Sequence, residues 1–591
     1  MIFNNFLGNV QGRLLHSTFV AVVLLGCLVS FNDTMAEDMI AIDRSSVRKG
    51  AVLKSQGDHS YRYNPVKNDA SGISHNLFER FSLDGDELVL NNNSPGSDDT
   101  GQTVRTIIIE VVGHKPTKLR GTIKVIGERA NLIIANSRGI VCEGCHFSNV
   151  AKVELNTDIF DDVINGKIKW LGEITEGIKI EKDGLSNLDG SLVVDAKKIV
   201  VDGNIDVKDN LILYSHAGSA DTKNRNHGSI DIKAAVINAG RIELHNLDHG
   251  SIKIASNGEA VTTMVSRSDL LLKSPGNINI AALIKSNGAL KIVGNKISGD
   301  GNFTATDGGE VFSRGVINLN SITFNGNVAL VANGDIIVKS ISGANGIVKV
   351  YGKKLQLMEV SNMAEVYLYG KNVAGGIKFN NVGNIEILDN GKGAKNVKSF
   401  SVESPLDIEG DFIFSGQSFS NHGLFKANNI KINLRGDFFN DDNGEIVARE
   451  KFQFNGRDFT NNNKINIDGT LNIKGDRFIN EGEVNAGPVE IYLMGKAKND
   501  TFIQRSGSRL ESRGGMELLI PAGGVYFEST KQPTSCIEED CSLQGTRLFS
   551  HDGDIHILSG GDVILDGAQT KGRIVVDVSG NVEGQENSED D

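Results

Sequence analysis

The chain has 591 residues, far more than one ordinary globular core needs, so it is either several domains or one elongated repeat. Gly is abundant (68) while Pro (8) and Trp (1) are scarce, and short Val/Ile/Leu runs are separated by Asn-Gly, Asp-Gly and Gly-Asp pairs, the pattern of many short strands joined by tight turns. The net charge of −13 is spread along the chain without a basic stripe, which argues against a nucleic-acid groove, and no nucleic-acid partner is expected.

In chain order, residues 18–31 form an apolar core preceded by Arg13 and followed by Thr34-Met35-Ala36, the layout of a signal peptide cleaved after Ala36. The span is short for a transmembrane anchor, which wants about 20 apolar residues. A lipoprotein reading of Cys27 is disfavoured by the bulky Leu25 next to Gly26. Residues 1–36 are thus assigned as signal peptide, and a chain so exported is expected in the periplasm or beyond.

Three blocks follow. The first is Gly72-Ile73-Ser74-His75-Asn76 with Phe81-Ser82-Leu83-Asp84 and residues 85–92; the second is Lys115-Pro116-Thr117-Lys118-Leu119-Arg120-Gly121. The third runs from Ala130 through Asn136-Ser137-Arg138-Gly139-Ile140 to Cys142-Glu143-Gly144-Cys145-His146-Phe147. Asn and Gly tolerate the left-handed backbone that a β-helix corner demands, so Asn136 and Gly139 read as corner residues.

With Cys27 removed, the five cysteines leave two local pairs, Cys142 with Cys145 and Cys536 with Cys541, and an even count in an exported chain permits disulfides. Cys142 and Cys145 could also be a redox pair or half of a metal site. Zinc wants four ligands, and beyond His146 no neighbour offers one; a thioredoxin-like pair needs a helix start in a βαβ setting. A small-loop disulfide is the expectation, and no metal or cofactor is assigned.

Past residue 190 come strand-like pieces with period-2 alternation. Gly228-Ser229-Ile230-Asp231-Ile232, Gly250-Ser251-Ile252-Lys253-Ile254 and Gly276-Asn277-Ile278-Asn279-Ile280 share one frame, which predicts one turn and strand per coil of a solenoid. Further on, Phe-x-Asn recurs at Phe419/Asn421, Phe438/Asn440, Phe459/Asn461 and Phe478/Asn480. Each Phe should sit above the last in the core and each Asn should join an amide ladder at a turn. About 550 residues at roughly 20 per coil would give on the order of 27 coils and ~130 Å of stacked strands. Open terminal coils invite edge pairing, so residues 37–150, which lack this unit, are expected to cap the first coil. The fold class is all-β, a right-handed parallel β-helix with a capped N-terminal module. The division is 1–36, 37–290 and 291–591.

The three blocks, in this order behind a signal peptide, resemble the secretion domain of the filamentous haemagglutinin and haemolysin family of two-partner exoproteins, over roughly residues 45–160. In that family the third block usually reads Asn-Pro-Asn-Gly-Ile. Here Asn136, Gly139 and Ile140 match while Ser137 and Arg138 depart, so Asn136 is expected to hold the turn through its own side-chain hydrogen bonds. Pro116 and Leu119 resemble the family's other turn motif, with Lys115 replacing the usual Asn. The resemblance implies that these residues and the Cys142 and Cys145 pair support secretion. It also implies a partner outer-membrane β-barrel transporter with periplasmic domains, a surface or secreted location in a Gram-negative bacterium, and an adhesin-like contact with a host or bacterial cell-surface receptor. Haemolysin activity is the alternative.

An extracellular β-helical polysaccharide enzyme would need convergent carboxylates or Arg/Lys with calcium, and no nucleophile, zinc or phosphate-loop motif stands out, so no catalysis is expected. Arg435-Gly436-Asp437 resembles an integrin-binding tripeptide, but the repeat frame accounts for its Gly-Asp. The His551/His556 segment reads as a solvated turn entering a strand. The 537–540 tip reads as a solvent-facing insertion, and the acidic end from Glu586 to Asp591 as a solvated terminus.

Overall fold

The computed structural model describes residues 39–57, 59–66, 71–93, 104–218, 227–256, 260–388, 398–497, 500–528, 546–565, 569–583 and 587–588. The signal-peptide assignment, the candidate disulfide pair Cys536 and Cys541 with its tip, and the acidic residues of the C-terminal end lie outside the described residues. The N-terminal elements are β1 (Ile40–Ile42), α1 (Arg44–Arg48), β2 (Val52–Gly57), β3 (Ser60–Asn64), β4 (Ile73–Phe81), β5 (Leu83–Asn92) and β6 (Thr106–Val111). Next come β7 (Thr117–Gly127), β8 (Ala130–Asn136), β9 (Ile140–Ser148), β10 (Val150–Asn156), β11 (Phe160–Ile164) and β12 (Lys167–Trp170).

From β4 onward the chain coils. β4, β6, β8 and β10 stack in parallel to form one wall, and β5, β7 and β9 form another. Side chains on each strand alternate between inside and outside, as the period-2 pattern requires, and the inward ones form one continuous core from Ile40 to Leu565. The architecture is a parallel β-helix.

Irregular pairings close its lower end. β1 lies antiparallel on β4, β2 and β3 form a hairpin, and α1 is N-capped by Asp43, whose carboxylate accepts from the Ser45 N–H at 2.8 Å. These elements cover a coil edge that would otherwise expose a row of unpaired N–H and C=O groups. Inside the cap, Asn76 is fully buried. Its oxygen accepts from the Tyr63 hydroxyl (2.8 Å) and the Val66 N–H (2.9 Å), while its amide donates to the carbonyls of Ser74 and Ile108. Burial pushes the Tyr63 phenol well above its ordinary range. The first sequence block is therefore structural wiring of the cap.

Above it, strict register builds vertical columns. Ile140 pairs with Ile178, and the same column continues through Ile199, Ile230, Ile252, Ile278, Ile297, Ile317 and Ile336. Each is at most 1% exposed, so each carries the ~1.5–3 kcal/mol typical of burying such a side chain. The column crosses residue 290 without interruption.

The Phe column starts one coil before and ends one coil after the four repeats read in the sequence, running Phe400, Phe419, Phe438, Phe459, Phe478, Phe502. Four successive pairs from Phe419 to Phe502 stack with centroids 4.5–5.6 Å apart. Beside them Asn421, Asn440, Asn461 and Asn480 hand one amide hydrogen bond each up the column, at 2.8, 2.7 and 2.8 Å, and Asn480 passes its own to Gln504 at 3.3 Å. The next residue of that column is Phe527, so the Gln504 amide nitrogen ends the ladder without a partner.

One element stands outside the coils. β11 and β12 form an antiparallel hairpin about Asn165-Gly166, both at positive φ (53° and 71°). It lays Phe160, Val163, Ile168 and Trp170 over Ile73, Ile108 and Ile133, which point outward from β4, β6 and β8. Asp158 pins its base by accepting from the N–H groups of Ile159, Gly172 and Glu173.

Candidate functional site

The second and third sequence blocks meet at one corner. β7 begins at Thr117 directly beneath Ile140, the first residue of β9, so the turn before β7 and the turn between β8 and β9 are neighbours one coil apart. Asn136 joins them. Its amide donates to the Lys115 carbonyl (3.0 Å) and to the Thr117 hydroxyl (2.9 Å), and its side-chain oxygen accepts from the Arg138 N–H (2.8 Å). The backbone adds two bonds, from the Gly139 N–H to the Asn136 carbonyl and from the Thr117 N–H to the Gly139 carbonyl, each 3.0 Å. Asn136 and Thr117 are buried (1% and 0% exposed), so each of these groups has exchanged water for protein.

Gly139 turns the chain at φ +98°, a conformation L side chains rarely adopt, and a Cβ there would meet the Gly177 carbonyl at 3.0 Å. Ile140 is buried at the base of the isoleucine column, and Leu119 is buried between Leu83 below and Cys142 above. Pro116 and Arg138 are exposed. With Lys179 and Lys198 they flank a shallow depression beside the turn, whose one carboxylate is Glu176. Lys179 donates to Glu181 at 2.8 Å and lies 3.8 Å from Asp202; together these carboxylates hold its ammonium above the ordinary range and offset its charge, so among the described residues Arg138 and Lys198 are the unbalanced cations here. The corner thus presents a basic rim on a hydrogen-bonded floor.

Of the two cysteine pairs that the sequence offers as disulfide candidates, the structure describes one. Cys142 and Cys145 are joined, with their Cα atoms 5.6 Å apart. The other pair, Cys536 and Cys541, falls outside the described residues. The Cys142–Cys145 bridge sits where β9 forks. The first half of β9 pairs with Gly177–Ile180 and the second half with Leu185–Asn187, and the Gly144 N–H reaches the Gly184 carbonyl at 3.0 Å. For the next five coils there are two strands where β9 was one, and they rejoin in the single strand Ile297–Ala305. Among the described residues, no group of three or more His, Cys, Asp or Glu is arranged to hold a metal ion. In the Arg435-Gly436-Asp437 segment, the Asp437 carboxylate is clasped by Arg457 in two hydrogen bonds of 2.9 and 2.7 Å, part of the repeat's own corner.

Compared with known proteins, residues 38–271 match the TPS secretion domain family. This segment is a two-partner secretion domain. The chain is accordingly a two-partner secreted exoprotein, exported across the outer membrane of a Gram-negative bacterium to the cell surface or beyond. It is 36% identical to the 16S rRNA endonuclease CdiA of Enterobacter cloacae subsp. cloacae over 143 residues, which are 21% of this chain and 4% of that protein. It is 30% identical over 158 residues to a hemolysin of Proteus mirabilis, covering 24% of this chain and 10% of the relative. The crystal structure of the filamentous hemagglutinin secretion domain is 19% identical, with a TM-score of 0.33 covering 58% of this chain and 99% of that one. The aligned segments span no more than a tenth of the CdiA and hemolysin relatives. Within the secretion domain, sequence reasoning finds Asn136 and Gly139 but not Thr117 as the acceptor that completes the corner, although the 19-residue separation is close to one coil.

Proposed function

We propose that the secretion domain is read by a partner outer-membrane β-barrel transporter with periplasmic domains through the corner built by Pro116, Leu119, Asn136, Gly139 and Ile140. Outside the cell the chain then acts as an adhesin-like contact protein toward a host or bacterial cell-surface receptor. The observation that supports this reading is the Asn136 side chain, which ties both motif blocks into one rigid, basic-rimmed surface. The secretion domain forms this corner as it is held at the transporter, and the rest of the chain passes through unfolded and completes its coils outside. Each completed coil offers the next a strand edge and a column of apolar side chains, so folding runs in one direction and opposes return through the pore.

The test is secretion of the full chain from cells with and without the transporter, as wild type, Asn136→Ala and Asn440→Ala. The expected result is transporter-dependent release that Asn136→Ala reduces and Asn440→Ala, which also removes a buried amide but far from the corner, does not. Equal release by all three would sink the role of the corner. A haemolytic role is the second reading, favoured by the hemolysin match, and lysis of red cells against attachment to them separates the two.

A further inference from the structure

The wall that begins with β4, β6 and β8 carries two outward columns. Between residues 243 and 431 these columns read as their own complement when turned upside down. One column rises through Glu243, Leu271, Lys291, Glu310 and Ala329, each in register with the next. It goes on through Lys349, Tyr367, Glu386, Ile413 and Lys431, with the Lys349 ammonium over the Tyr367 ring at 5.6 Å. Reversed and laid on itself, this order sets Glu243 against Lys431, Leu271 against Ile413, Lys291 against Glu386, Glu310 against Tyr367, whose hydroxyl donates to Glu365 at 2.7 Å, and Ala329 against Lys349 at the centre. The neighbouring column is apolar over its middle coils: Val293, Phe312, Val331, Tyr351, Tyr369 and Leu388. Phe312 is 40% exposed there, and Tyr351 and Tyr369 stack at 4.5 Å. The same reversal sets Phe312 against Tyr369 and Val331 against Tyr351.

We infer that this wall is the interface of a two-fold dimer, in which a second copy of the chain lies face to face and antiparallel, with the axis along the strands between the coils of Val331 and Tyr351. An axis along the strands keeps each column opposite its own copy while reversing coil order, which is the operation under which the charges match; residue i meets j and j meets i, as an isologous contact requires. Size agrees. Nine coil steps of ~4.8 Å by a five-residue strand of ~17 Å give about 700 Å² per copy, close to the ~800 Å² per partner of a standard interface. The chain covers this wall once already, because Ile108 and Ile133, lower in the same column, lie under the β11–β12 hairpin. Lys291 and Glu310 pair at 2.8 Å within the chain and keep side chains 56% and 62% exposed, whereas Glu243 is held at 2.9 Å by both Arg241 and His245 and is 17% exposed.

The experiment is sedimentation velocity on the secreted full chain over a wide concentration range, with circular dichroism to confirm folding of each variant. The wild type should approach twice the monomer mass. Phe312→Lys should weaken the dimer roughly tenfold or more, since it places a charge in the apolar centre, whereas Val582→Lys, on an exposed residue away from this wall, should leave it unchanged. Lys291→Glu should also weaken it, because the new carboxylate would face that of Glu386 across the axis. The exchange Lys291→Glu with Glu386→Lys should restore it, although the internal contact with Glu310 stays broken. A wild type that is monomeric throughout, a dimer indifferent to Phe312→Lys, or a double exchange that stays monomeric would each overturn the inference.

Discussion

At the residue scale, Asn136 carries more wiring than its size suggests. Replacing it with alanine removes a donor from the Lys115 carbonyl and leaves the buried Thr117 hydroxyl without this partner, a cost of about 1–3 kcal/mol. The expected outcome is faster amide hydrogen exchange at Thr117, Arg138 and Gly139 with little change in the Phe column; unchanged exchange at all three would contradict the wiring. Gly139→Ala should cost about 1–3 kcal/mol through backbone strain alone, read from the same amides. A second residue sets a pH dependence. A hydrogen bond to Asp195, at 3.0 Å, outweighs burial and holds His216 above its ordinary value of 6.5. A raised folded value means the stabilisation is complete below about 6.5 and is lost as pH rises through the folded value. The His216 ring resonances should titrate above those of His216 in the denatured chain, and His216→Gln should remove that part of the pH dependence.

At the scale of elements, the amide ladder makes position within a column matter. Asn440 accepts from Asn421 and donates to Asn461, so Asn440→Ala strands a neighbour on each side and should cost about 2–3 kcal/mol, while Gln504→Ala at the ladder's end should cost about 1 kcal/mol or less. Denaturant unfolding followed by exchange in this segment orders the two. The disulfide at the fork closes so short a loop that its contribution is about 2 kcal/mol, and Cys142→Ser with Cys145→Ser should loosen Leu185–Asn187 without reaching the Phe column. These elements also show what a sequence discloses. Four Phe-x-Asn units are legible because identical side chains recur at near-constant spacing. Phe400 and the Phe502/Gln504 unit are not, because Val402 and Gln504 stand where Asn would, and the last step lengthens to 24 residues. The hairpin over β4, β6 and β8 does leave a signal, Asn165-Gly166 flanked by Phe160, Val163, Ile168 and Trp170, but nothing in it says which wall those side chains cover. The corner is half legible. Its turn residues announce themselves, but the bond between blocks 19 and 21 residues apart exists only once the coil is closed.

At the scale of the molecule, each coil touches mainly the one above and the one below, so stability is close to a sum of nearest-neighbour terms. Phe459→Ala, which empties the middle of the ring stack, should cost about 3–5 kcal/mol. Exchange measured along the whole chain should show the loss confined to the coils around it and absent from the isoleucine column near Ile199; a uniform loss would mean the coils unfold as one body. The same register has a consequence for inheritance. A side chain's structural neighbours lie 19 to 21 residues away in this region, and inward and outward positions alternate along every strand. Loss of one codon inside a strand would turn its core residues out to solvent and its polar residues in, whereas loss of the 21 residues that separate Asn440 from Asn461 would rejoin two matching ladders. Genes for this architecture are therefore free to lengthen or shorten in whole turns and are held fixed against smaller steps, so length differences among its descendants should cluster near multiples of a single coil.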